Sequence, residues 1–115
     1  MTTRYMFLLF GDETAMSDVT PEQWEQMMKA HDAWGHAVAA AGATIVSGEA
    51  LAPSSTATTV RKGGAAPVVT DGPFAETKEA LGGYYVLDCT DLDQALALAH
   101  TCPIDVVEVR PVIPT

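Results

Sequence analysis

Two short runs of this chain are apolar on both faces, and few folds can house such runs. Arg4-Tyr5-Met6-Phe7-Leu8-Leu9-Phe10 reads as a strand. Successive strand side chains point to opposite sides, so Met6, Leu8 and Phe10 share one face and Tyr5, Phe7 and Leu9 the other. Gly83 to Cys89 repeats the pattern through Tyr84-Tyr85-Val86-Leu87. Strands of this kind are covered on both sides. Whatever the chain folds into, these two runs belong in the middle of it.

The cover for one face is visible between them. Thr20-Pro21-Glu22-Gln23 is a helix start: Thr20 as N-cap, proline at the first helical position, and Gln23 completing a capping box. The helix runs to about Ala41 and stops at Gly42. Trp24, Met27, Met28, His31, Trp34, Gly35 and Val38 recur on one stripe of it, and His36 falls off that stripe toward solvent. A second helix is capped by Thr90 or Asp91, carries Leu92, Ala95, Leu96 and Ala99 on one side, and ends before Pro103. Gly11 to Asp18 is polar and reads as a loop.

The remaining segments are strands. Ala43 to Leu51 is one, ended by Pro53-Ser54-Ser55, and Val106 to Arg110 is the last, closed by Pro111. Thr56 to Lys62 and Pro67 to Thr70, joined across Gly63-Gly64, read as an inserted hairpin. The order β-α-β, hairpin, β-α-β predicts an α+β fold of ferredoxin-like type. In it an antiparallel sheet carries both helices on one face, with the two double-faced strands at its centre. The other face then needs a cover, and the simplest is the same face of a second copy, so a homodimer is expected. At 115 residues the chain is read as a single domain, 1–115.

Composition removes several functions. A net charge of -9 argues against phosphate neutralisation, so no nucleic-acid partner is expected. No apolar run reaches membrane-spanning length and the N-terminus lacks a signal-peptide pattern, so a cytoplasmic protein without a membrane role is expected. Cys89 and Cys102 lack a C-x-x-C spacing and read as buried free thiols. No His/Cys cluster has zinc spacing, and neither a metal nor a cofactor is expected.

Thr70-Asp71-Gly72-Pro73-Phe74-Ala75-Glu76-Thr77-Lys78-Glu79 is a turn followed by a charge cluster. Asp71 can form an Asx-turn, Gly72 permits positive φ and Pro73 ends ladder pairing. Phe74, being large and apolar, is expected to pin the turn to the core. This stretch, with Gly82-Gly83-Tyr84-Tyr85 after it, resembles the signature of the YCII-related family in its DGPF-domain branch. The likeness extends to Gly42–Glu49, Thr59-Val60-Arg61 and Val107-Glu108-Val109-Arg110-Pro111. The resemblance implies a dimeric α/β-barrel. It also implies a pocket in which a histidine of the first helix pairs with an aspartate.

The candidate site residues follow from both sources. His31 is the one titratable group in the middle of the apolar stripe. Its bland alternative is a core-edge ring packed beside Trp34 and Met27; the resemblance gives it the acid/base role, since histidine is the natural proton shuttle near neutral pH. Asp71 is its candidate carboxylate, with the Asx-turn as the alternative. Glu49 and Arg61 read as an ion pair across the sheet, or as a grip on an anionic substrate group. Tyr84 and Tyr85 point to opposite faces, one toward the core and the other free to offer its hydroxyl to a pocket walled by Trp34.

Two functional classes remain. One is a cofactor-free small-molecule enzyme using a His31/Asp71 pair, on a phenolic or carboxylated ring compound. The resemblance implies dehalogenation-type lyase chemistry for some relatives. The other is a non-catalytic ligand-binding or regulatory module; DGPF-domain proteins are associated with extracytoplasmic-function sigma factors, so a sigma factor is the implied partner.

Overall fold

The computed structural model describes residues 1–115. Its elements are β1 (Thr3–Asp12), α1 (Glu13–Met16), α2 (Pro21–Ala40), β2 (Thr44–Ala50), a 3-10 turn (Ser54–Thr56), β3 (Thr58–Arg61), β4 (Val68–Asp71), β5 (Glu79–Cys89), α3 (Leu92–Thr101) and β6 (Val106–Pro111). The four-stranded sheet has the order β2-β5-β1-β6, every neighbour antiparallel. That is the ferredoxin-like arrangement, and the two double-faced strands, β1 and β5, are its centre.

Burial follows the alternation. Tyr5, Phe7 and Leu9 are buried, and with Leu87 and Cys89 they meet Trp34 and Val38 of α2 and Ala95 and Leu98 of α3. Both helices therefore lie on one face. Phe7, Leu87, Val38 and Cys89 are the largest side chains fully removed from solvent. Each of the three larger ones contributes about 1.5–3 kcal/mol by burial. The opposite face carries Met6, Leu8, Phe10, Tyr84 and Val86, all only partly covered. Its rim is charged: Arg4 bonds Asp88 through two guanidinium nitrogens, and Arg110 does the same with Glu108.

The helix ends form for local reasons. The Thr20 hydroxyl accepts from Gln23 N–H while the Gln23 side chain accepts from Thr20 N–H, the reciprocal capping box. Asp91 caps α3, and the Gln94 amide donates to Ala41 C=O, satisfying a carbonyl at the end of α2.

Two bulges adjust the ladder. Val46 is skipped in β2 and Gly82 in β5, since Leu9 faces Gly83 while Phe10 faces Leu81. A bulge on an alternating strand exchanges the two faces beyond it. Ala80 is thus buried, while Leu81 sits opposite Phe10 on the uncovered side.

The structure corrects three expectations. The predicted loop over 11–18 is in part the end of β1 and a one-turn helix, α1, capped by Asp12. The strand of Gly83 to Cys89 begins earlier, at Glu79. Phe74 does not pin its turn to the core: it is 72% exposed, and the Arg61 guanidinium lies 4.8 Å from its ring centre. The hairpin that precedes it, β3 with β4, forms a sheet of its own and pairs with no strand of the main sheet. Gly72 does adopt the expected positive φ, +101°, and its N–H donates to Ala57 C=O at the root of the hairpin.

Candidate functional site

The apolar stripe of α2 is longer than the core beneath it. Trp34 and Val38, in its second half, are buried, while Trp24 and Met28, in its first half, are not. Between that first half and the sheet lies a groove of about 1270 Å³. Leu9 and Tyr85 belong to its sheet side, and Trp24, Met27, Met28 and His31 to its helix side. The turn after β1 and the segment after β2 complete the border. They are tied together by Glu13, whose carboxylate accepts from both the N–H and the hydroxyl of Ser54 at 2.7 and 2.5 Å. Asp12, Glu13, Asp32 and Glu49 are among the lining residues, and no Lys or Arg is.

At the inner end of the groove, His31 Nδ1 and the Tyr85 hydroxyl are 2.8 Å apart. Three contacts fix the tyrosine. Its ring centre lies 4.8 Å from that of Trp34, it is opposite Phe7 in the ladder, and it lies over Gly48 of β2. A Cβ at Gly48 would stand 2.5 Å from the Tyr85 ring and 3.0 Å from Tyr84 C=O, so only glycine leaves room for the ring. Burial lowers the His31 pKa below its ordinary value, and the Asp32 carboxylate offsets this in part. Burial raises the Tyr85 hydroxyl above its usual range. Both members of the pair are therefore neutral at pH 7. His31 Nε2 makes no hydrogen bond within the protein and keeps solvent access. A smaller cavity of about 350 Å³, bordered by Gly35, His36 and Ile45, touches the same pair from the other side.

A neutral tyrosine is a different partner from a carboxylate. A carboxylate accepts only, holds the proton on Nδ1 and raises the histidine pKa. A hydroxyl both donates and accepts. It therefore supports either tautomer of His31, leaving Nε2 as a base or as a donor.

Of the residues that the sequence singles out, His31, Tyr85, Tyr84 and Glu49 border the groove, the last two paired across β5 and β2 on the other face of the sheet. Trp34 lies beneath, holding the Tyr85 ring, with its Nε1 donating to Leu98 C=O at 2.9 Å. Asp71 and Arg61 stand apart, in the separate hairpin, and border no part of the groove. Within one chain His31 is joined to Tyr85 and not to Asp71. Nor do Glu49 and Arg61 form an ion pair: they belong to different sheets, and Arg61 stacks on Phe74.

Sequence reasoning missed Gly48 and Glu13. A glycine inside a strand is a recognised mark of close approach and could have drawn attention to Gly48. The Glu13–Ser54 tie joins residues 41 positions apart and has no local signal. Both cysteines are free and buried, and Cys102 is pushed up to about 11 by burial, so neither is a thiolate at neutral pH. No three His, Cys, Asp or Glu side chains converge as metal ligands. No helix is long and apolar enough to cross a membrane.

The fold and groove define a small ferredoxin-like α+β domain with a single histidine–tyrosine pair set into an apolar cleft. The YCII-related domain matches residues 3–115, and the chain belongs to that family. It is 38% identical over 96 residues to an uncharacterized protein of Rhizobium meliloti (strain 1021), covering 84% of this chain and 77% of the relative.

Proposed function

We propose that the chain binds a small molecule with an apolar body in the groove beneath α2, and that His31 moves a proton on it through Nε2, with Tyr85 as partner. The observation that carries this reading is the 2.8 Å contact of His31 Nδ1 with the Tyr85 hydroxyl at the inner end of an apolar groove. Apolar walls with one convergent polar group bind and orient; a neutral imidazole with a free nitrogen accepts or gives a proton. Asp71, the candidate carboxylate for this role, borders no part of the groove, and Tyr85 takes the place beside His31 in this reading. The anion grip is dropped with it, since Arg61 borders no part of the groove. The same proposal puts a second copy over the open sheet face, where Met6, Leu8, Phe10, Tyr84 and Val86 are only partly covered. Sedimentation at low micromolar concentration should then give twice the chain mass.

The test is a fluorescence screen of small aromatic and aliphatic compounds, read at Trp24, with Trp24→Phe as the control for the buried Trp34. Saturable binding, with conversion of a bound compound lost in His31→Ala and in Tyr85→Phe, is the expected result. Binding without conversion of any bound compound would remove the acid/base role. That would leave a ligand-binding or regulatory module, for which a sigma factor is the partner to try. Absence of binding across the screen would overturn the groove itself.

A further inference from the structure

The hairpin of β3 and β4 has no role in the fold or the site as described. A two-stranded hairpin alone is marginal in water and needs a surface to pack on. This one exposes Val60, Val68, Val69 and Phe74, each by more than half of its area. It also stretches the molecule: the radius of gyration is 16.3 Å, against about 13 Å for a compact chain of similar length. Its charge is unlike the rest. From Thr58 to Asp71 it carries Arg61 and Lys62 against one acid, Asp71 at its root, so it is +1 while the other residues carry -10. The groove is its complement, apolar at Trp24 and Met28, bordered by acids and by no cation, and its own hairpin lines no part of it. The rim of the open sheet face is a poorer match, because Asp88 and Glu108 there are already paired with arginines.

We infer that the β3–β4 arm of one copy seats in the groove of a second copy. By register Val60 and Val69 face each other on one side of the arm, and Arg61 with Val68 lie on the other. The Val60/Val69 side packs against Trp24 and Met28, with Lys62 at the tip turned toward the acids. Each ligand groove is then walled in part by the other chain. This inference rests on the dimer and the groove proposed above, and deepens them.

Cross-linking of mixed single-cysteine chains tests it, since both native cysteines are buried. Val69→Cys and Met28→Cys chains, mixed and treated with a short bismaleimide, should link to each other. Lys62→Glu in the first chain should reduce that link about five-fold, and Asp32→Lys in the second should restore it. In the unmodified dimer Trp24 should resist acrylamide quenching, and Lys62→Glu should expose it. These positions are on the surface, so the variants fold. No link in a sample that sediments at twice the chain mass would overturn the arm while leaving the dimer intact. A sample that sediments at the mass of one chain would overturn the dimer and the arm together, leaving the groove to be judged by its own ligand screen.

Discussion

Trp24 and Trp34 sit on the same stripe of the same helix, ten residues apart, and meet opposite fates: 48% and 4% exposed. Trp34 packs on Phe7 and Tyr85 and bonds Leu98 C=O. Trp24 faces the groove. A helical apolar stripe therefore marks a surface that is removed from water by something, without saying what. Over the second half of α2 that something is the chain's own sheet. Over the first half the sheet does not reach the stripe, and Trp24 and Met28 border the open groove.

The largest effect expected from breaking this contrast is Trp34→Ala. It should cost about 3–5 kcal/mol in urea unfolding, and Trp24→Ala should cost clearly less, because Trp24 is not part of the buried core of its own chain. Comparable losses at the two sites would mean that the groove is as much core as the region under Trp34. Next is Gly48→Ala. The added methyl meets the Tyr85 ring and a backbone carbonyl, and overpacking of this kind costs about 1–3 kcal/mol. The ring should move off His31, visible as a shift of the His31 NMR resonances that Trp24→Ala does not produce. Gly72→Ala, in the arm, should cost about 1 kcal/mol through backbone alone, since a Cβ there meets nothing. Asp71→Asn, which preserves the turn, should cost almost nothing.

The smallest effect is in pH. His31 is held below its ordinary pKa of 6.5 in the folded chain, so between the two values the unfolded chain binds more protons. The contribution of His31 to stability is complete above about pH 6.5 and declines as pH falls through the folded value. NMR titration should show His31 protonating below its ordinary value on acidification. An earlier protonation would mean that a carboxylate reaches the ring.

The sheet, its order and both long helices were legible in the sequence, because alternation and helical spacing are local and the core obeys them. The hairpin was legible for the same reason. What escaped depended on distance. The opposite facing of Tyr84 and Tyr85 could be read, but not which of them meets His31, because Tyr85 lies 54 residues from the histidine and its face is fixed by the ladder with β1. Phe74 was misjudged on the premise that a large apolar side chain belongs to the core of its own chain. One turn of helix at Glu13–Met16 is too short to carry a period at all.

The skipped Gly82 has a further consequence. On a two-residue alternation, one extra residue is a half-cycle phase shift, and everything upstream of it inherits that shift. Deleting Gly82 would only close the bulge: Leu81 would stay opposite Phe10 and Ala80 opposite Gly11, each on its present side of the sheet. The sides taken by Leu81 and Ala80 thus depend on that spare residue, since a regular ladder through Gly82 would put Leu81 on the covered face and Ala80 on the open one. A deletion there is absorbed by the bulge, whereas a second inserted residue finds no partner in the ladder and exchanges the two faces upstream of it.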